Sequence, residues 1–369
     1  MAPPPEYEFV RLAARATLAP ERAERFAAMA TDSLDWPLAV RLARYHRVLP
    51  LLWIHLNEHA REQTPEDVLD FLRRSSMSTA VRVLFLSSEM ARIAERFEAE
   101  RIPFLVLKGP SLAEAYGSIA HRPFVDNDLL GRRDDFDRIE RTLLDLGFNR
   151  YKRSQRQLDG YLYVHGEYTF GRAVGTQIST VDMHTSVTPL GFSYAGTYDD
   201  LAGRSRPLDV GGRTVQALDW PDLFIVLCVN ALKDQWNRLR LACDLSEVAE
   251  MVDDWDALEA RAASAHSLRA CRAGILVSHD EVGGPYPADV VARARADEPV
   301  HELATEIREH LQTSYEERIL GGRDRARLVL RAQDDLRGQA RYLGYVALRR
   351  LTERAFSPLE PGQREGETA

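Results

Sequence analysis

The chain has 369 residues, 45% of them apolar and 28% charged, with a formal net charge of −8. That length supports a sizeable core and two or three packed sub-domains. The acidic balance argues against a general electrostatic grip on long nucleic acid, which needs a cationic footprint. Cys228, Cys243 and Cys271 have no metal-ligand spacing and read as small core hydrophobes in a reducing compartment. The opening "MAPPPEYEFV" offers no signal-peptide pattern, and the longest apolar run, Leu223 to Leu232, is about half a membrane span. The expectation is a cytoplasmic protein with no membrane segment.

Residues 1–100 have helical period. Asp35 is placed to cap a helix with Pro37 in its first turn, and Leu38, Val40, Leu42 and Tyr45 follow at helical spacing. In "STAVRVLFLSSEMARIAERFEAE", the residues Val81, Leu84, Phe85, Ser88, Ile93 and Phe97 fall largely on one side of a long helix. From 101 to 215 the period changes. "IPFLVLKG" reads as a buried strand, "PSLAEAY" as a helix opening, "FVDNDLL" as a second strand and "RDDFDRIERTLLDLGF" as a helix stopping near Gly147. "GYLYVHGEYTF" and "QISTVDMHTSV" read as two further strands joined by a hairpin at "GRAVG". Helical period returns over 216–355, where Trp236, Leu239, Ala242 and Cys243 share a face, and 356–369 reads as a disordered tail. The fold class expected is therefore α+β: a small mixed-sheet core between helical N- and C-terminal regions.

The chemistry lies in the middle zone. Side chains at i and i+2 of a strand share a face, so Asp126 and Asp128 project together and Asn127 points away. Adjacent carboxylates repel, and one tends to protonate unless a cation neutralises both. A divalent ion such as Mg²⁺ answers this with one or two carboxylates plus substrate phosphates. Asp182 offers a third acid on a later strand, with His184 on the same face. Three carboxylates on neighbouring strands suit a two-metal phosphoryl-transfer site. Upstream, Lys108, Gly109 and Ser111 sit at a strand-to-helix turn, where glycine lets backbone N–H groups approach a phosphate and Lys108 can neutralise one. Arg122 reads either as a phosphate contact or as the partner of Asp126 or Asp128. Lys233, three residues before Trp236, reads as a solvated helix residue or as a phosphate or base contact.

These segments, in this order, resemble the DNA polymerase β-like nucleotidyltransferase superfamily. More narrowly, "FLVLKGPSLAEAYG", "HRPFVDNDLL", "VDMHTSV", "ALKDQWNRLRLACDL" and "RLARYHRVLPLL" resemble a bacterial, uncharacterised nucleotidyltransferase family, traceable over about residues 35 to 355. The resemblance implies a nucleotidyltransferase fold in which Asp126, Asp128 and Asp182 hold two Mg²⁺ ions. Gly109, Ser111, Lys108, Arg122 and Lys233 would meet the nucleotide, His184 would support the metal site, and Asp244 matches a motif position without a defined role. The reaction implied transfers NMP from an NTP, ATP foremost, to a small-molecule or protein acceptor, with pyrophosphate leaving. A tRNA acceptor stays open. So do a kinase-like phosphotransferase with the same metal pair and a nucleotide-binding regulatory module. Three positions depart from the pattern: Pro110 separates Gly109 from Ser111, Gly131 replaces an apolar residue, and Asn230 stands where histidine is expected.

Overall fold

The computed structural model describes residues 3–150, 164–192, 194, 196–313 and 320–355. The tail expected over 356–369 and the first residues of the strand expected from Gly160 lie outside them. Helices α1 (Pro5–Leu12), α2 (Pro20–Met29), α3 (Trp36–Tyr45) and α4 (Leu49–His59) lead to the long α5 (Glu66–Ala99). Strand β1 (Phe104–Val106), α6 (Pro110–Ala115), β2 (Asn127–Gly131), α7 (Phe136–Asp145) and β3 (Asn149–Arg150) follow. Then come β4 (Glu167–Val174), β5 (Gln177–His184), α8 (Tyr198–Ala202), β6 (Arg206–Val210) and β7 (Arg213–Ala217). The remaining helices begin with α9 (Trp220–Lys233), α10 (Leu239–Ala249), α11 (Trp255–Ser264) and α12 (Leu268–Val282). The α+β class expected from the sequence is the one observed.

One sheet of order β3-β4-β5-β2-β1-β7-β6 carries the site. It is mixed: β2 runs parallel to β5, β1 parallel to β7, and β1 antiparallel to β2. Two hairpins frame it. The β4–β5 turn is only Gly175–Thr176, with Gly175 at φ +58°, so Gly171 to Val174 belong to the strand rather than to the expected connection. The β6–β7 turn is Gly211–Gly212, both at positive φ, which matches the right-handed strand twist that two-residue hairpins require. The Gly-Gly pair between "PLDV" and "RTVQA" is the signal that marks this second hairpin in the sequence.

Helices α5 and α7 cover one face of the sheet. Met90, Ile93 and Phe97 pack with Leu129, Ile139, Phe170, Val181 and Met183 in one buried cluster. The buried stripe of α5 is thus Val83, Leu86, Met90, Ile93 and Phe97, whereas Val81 and Leu84 are each 57% exposed. Two apolar stripes overlap on this helix, and the sequence pattern alone picked residues from both. The backbone of α5 also meets the sheet directly, since Asn127 Nδ2 donates to the Leu86 carbonyl at 3.1 Å. The opposite face, with Leu105 and Leu130, joins the larger core made by the helices.

Two expected long helices are broken, each at left-handed backbone. Arg47 at φ +58° separates α3 from α4, and Gln235 and Trp236, at φ +61° and +49°, separate α9 from α10. His46, fully buried at the first break, accepts from the Leu239 N–H at 3.2 Å and so joins the two breaks. Burial pushes its pKa down to about 3, with Arg238 adding to the effect. At the N-terminal end, Arg15 pairs with Glu247 on α10 at 2.7 Å and with Glu250 just after it at 2.6 Å, and Tyr7 Oη donates to Glu281 on α12. Cys228, Cys243 and Cys271 are buried and free, as expected of core residues. No described helix is long and apolar enough to cross a membrane.

Gly131 lies where β2 passes closest to α7. A Cβ there would stand 2.6 Å from Ile139 Cδ1 and 2.8 Å from Met183 Cε, both ends of flexible side chains. Gly131→Ala should therefore cost about 1 kcal/mol or less. Gly131→Val, which cannot be absorbed by rotamer shifts alone, should cost about 1–3 kcal/mol in urea unfolding. Equal midpoints for the two variants would contradict this packing.

Candidate active site

The parallel register of β2 with β5 sets Asp128 directly opposite Asp182. Asp126 precedes β2 in a bend, so its position is fixed by the turn after Phe124 rather than by strand pleat. The end of β1 is tied in by the Leu107 N–H, which donates to the Asp128 carbonyl at 3.0 Å. Lys108 and Gly109 follow at once. Gly109 has φ +61°, and a Cβ there would make only ordinary contact, 3.5 Å from the Asp126 carbonyl oxygen. Backbone conformation, not lack of space, calls for glycine at this turn.

The side chains form a connected line of charge. Lys108 Nζ lies 3.4 Å from Asp128 Oδ1, and His184 Nε2 lies 3.1 Å from the same oxygen. The other ring nitrogen of His184 is 3.4 Å from Glu167 Oε2, and Lys233 Nζ approaches that oxygen at 3.8 Å. Asp182 Oδ1 accepts from Thr169 Oγ1 at 2.6 Å. Glu167 and Thr169 on β4 escaped the sequence reading. Pairing of β4 with β5 places Glu167 opposite His184 and Thr169 opposite Asp182, a register that only the hairpin length reveals.

The acids titrate apart. Burial and the like charges of Asp128 and Asp182 push Asp126 up to about 6, against the pull of Lys108 and Arg240. Asp128 is held well below the usual carboxylate range: burial opposes its charge, but Lys108 and the His184 hydrogen bond outweigh burial. Asp182 is raised, by burial first and by Asp128, with the Thr169 hydrogen bond opposing. Burial disfavours the charged form of Lys108, but Asp128, Asp234, Glu167 and Asp126 outweigh it and raise its pKa. Three carboxylates against Lys108 leave excess negative charge, which is the electrostatic demand a divalent cation meets. Their oxygens do not all converge within 4.8 Å; among the described residues only His55, Glu58 and His59 on α4 do so. His55 there is a core residue whose Nε2 lies 2.7 Å from the Arg15 carbonyl.

Three sequence-derived residues are placed elsewhere. Arg122 is not beside Asp126 or Asp128 as a partner. Its guanidinium grips Asp244, with Nε to Oδ1 at 2.6 Å and Nη2 to Oδ2 at 2.8 Å, while Nη1 donates to the Pro123 carbonyl. Tyr116 Oη completes the cluster by donating to Asp244 Oδ1 at 2.8 Å. Ser111 is fully buried, and its hydroxyl accepts from Arg206 Nη2 at 2.8 Å. The inserted Pro110 begins α6, so Ser111 falls inside that helix, where its hydroxyl meets Arg206. Trp236 lies in the turn between α9 and α10 and is fully buried, so it shares no helix with Lys233 and presents no ring to a base.

Residues 32–282 match the sequence model of a family described as an uncharacterised nucleotidyltransferase. The chain belongs to this family. The match takes in every residue of the acidic site and both broken helices, and it leaves out α1, α2 and the helices after α12. No curated protein and no solved structure matches the chain. The nucleotidyltransferase assignment therefore comes from the family.

Two outcomes follow from the charges. The folded state raises the Asp126 pKa above its ordinary value, so stability contributed by the protonated form is lost as pH rises through about 6. Without divalent cation, Asp126→Asn should raise the melting temperature at about pH 8, with the gain fading near about pH 4. Added Mg²⁺ should reverse the order by stabilising only the native sequence. Asp244→Ala should destabilise by about 3–5 kcal/mol, because it strands the buried Arg122 charge. A loss of activity with an unchanged unfolding midpoint would show that Asp244 is not the structural clamp described.

Proposed function

We propose that this nucleotidyltransferase is metal-dependent and transfers NMP from an NTP, ATP foremost, to a small-molecule or protein acceptor with release of pyrophosphate. The observation that carries this reading is the register that sets Asp128 against Asp182 with Asp126 two residues away. Asp126, Asp128 and Asp182 would hold two Mg²⁺ ions, which would neutralise the triphosphate and polarise the α-phosphate. The donor set fits such ions: all-oxygen, acidic beyond its local cations, and raised in pKa at Asp126 by burial first and then by like charge.

The chain's own residues supply positioning and proton handling. Lys108 fixes Asp128 and stands ready to share its charge with the phosphates beside the Gly109 turn. His184 bridges Asp128 and Glu167, which holds both carboxylates in orientation without a free ligand atom of its own. Lys233, paired only loosely with Glu167 at 3.8 Å, is free to turn to the nucleotide. Asp182, whose charged form is disfavoured by burial, is suited to take the acceptor's proton as the acceptor oxygen attacks the α-phosphate. The bond from that phosphorus to pyrophosphate breaks in the same displacement. Arg122 and Ser111 have no part in phosphate binding here, since each is already engaged by the fold. The acidic total of −8 favours a small or protein acceptor over long nucleic acid.

Incubation with α-labelled and γ-labelled ATP tests the reaction. Label from the α position should appear on an acceptor in a Mg²⁺-dependent way. Transfer of γ label alone would instead mark a kinase, and tight Mg²⁺–ATP binding with neither transfer would mark a regulatory module. Asp126→Asn and Asp128→Asn should each lower transfer by at least about a hundredfold while circular dichroism stays native. Near-native turnover in either variant would remove the metal assignment.

A further inference from the structure

A pocket of about 560 Å³ opens beside Val125, the residue before Asp126. It is built where the turn at Arg47, helix α5, the run into β2, the β4–β5 hairpin and the start of α10 meet. Its volume is in the range that holds a small molecule. Its lining combines three features. Arg47, Arg82 and Arg240 all border it, and among the described residues none of the three has a carboxylate partner. Arg82 donates to the Val125 carbonyl at 3.0 Å, and Arg240 reaches the Pro123 carbonyl at 3.4 Å, so both heads are held at the pocket wall. Val81 and Val125 present large apolar surface there, 57% and 53% exposed. Finally, Gln177 carries a buried amide oxygen with no hydrogen-bond partner.

Among these arginines, the Arg240 charge is the costliest. Arg240 is pushed down to about 9 by burial and by Arg122 and Arg47, against Asp244. Arg47 is lowered by burial and by Arg238 and Arg122, while Asp126 pulls the other way. A guanidinium fork is matched by a planar carboxylate or by a phosphate, and the apolar wall is matched by a hydrocarbon or aromatic body.

We propose that this pocket is the acceptor subsite, taking a small molecule that joins an anionic group to an apolar body and carries its nucleophile past Asp126 toward Asp182. The anion settles among Arg47, Arg82 and Arg240, and the body lies on Val81 and Val125. This assignment rests on the nucleotidyl-transfer reading, and it explains how an acidic enzyme recruits an anionic acceptor next to its own carboxylates.

The test uses the full chain and 8-anilinonaphthalene-1-sulfonate, a fluorescent probe with an apolar body and one sulfonate. Titration should show a single saturable site, weakened by about tenfold in Arg82→Gln and Arg47→Gln. Val81→Glu, at an exposed position that leaves the fold intact, should abolish binding. Saturating Mg²⁺–ATP, its own binding verified calorimetrically, should leave the dye affinity within about twofold. Displacement by benzoate or by phenyl phosphate supports the subsite and identifies the preferred anion; failure of both overturns it. Dye affinity unchanged in the arginine variants, or dye displaced by Mg²⁺–ATP, overturns it as well, the latter because the pocket would be the nucleotide's. Failure of the transfer reading is separable, because it appears as absent α-label transfer whatever the dye does.

Discussion

The parallel pairing of β2 with β5 is the constraint on which the rest depends. It forces Asp128 and Asp182 into adjacent positions, with Asp126 close by, in a setting that would be electrostatically easier without them. A slip of one residue would send the acids to the face of α5 and α7 and bring Leu129, Val181 and Met183 out of the core. Each of those apolar side chains is worth about 1.5–3 kcal/mol when buried. Register is thus secured from behind by Met90, Ile93 and Phe97, and the front face is left free to carry charge that does not help folding. Lys108 and His184 make their close carboxylate contacts within the site at Asp128, so Asp126 and Asp182 keep the larger share of unbalanced charge.

Much of this site was legible in the sequence, and the limits of that reading are physical. Asp126, Asp128 and Asp182 are isolated acids in apolar runs, a pattern that has no reason in folding and therefore points to chemistry. Glycine at 109 was legible as a strand-to-helix turn where backbone N–H groups can approach a phosphate, while its positive φ appears only in the structure. Glu167 and Thr169 were not, because their relevance depends on a hairpin of two eight-residue strands whose register comes from its two-residue turn. Arg122 was misplaced since its partner, Asp244, lies 122 residues away and only tertiary packing brings them together. Trp236 kept helical spacing with Leu239 although left-handed backbone stands between the helices, and periodicity is blind to such breaks. Ser111 followed the family motif, but one inserted proline rotated it into the core.

The buried cluster of Arg122, Asp244 and Tyr116 links the segment leading into β2 to α10 and to the turn after α6. Such a charged clamp adds little net stability compared with apolar packing, but it permits a single arrangement. It fixes the approach to Asp126 at the point where Arg240 also reaches the Pro123 carbonyl. The acidic strand and the helical region behind it are therefore held in one relation by directional bonds rather than by fit alone.

The family match begins at residue 32, yet Arg15 before it supplies the countercharge for Glu247 and Glu250, and Tyr7 serves Glu281. Two of those acids, Glu247 and Glu281, lie on helices inside the matched region and are almost entirely buried. A shortened chain cut to the family boundary would thus be a different electrostatic object, with anionic side chains sealed in its interior. Relatives that dispense with this leading segment must carry a neutral residue at the position of Glu247 or bring it a cation from another part of the chain, whereas Glu281 keeps Arg308 at 2.9 Å.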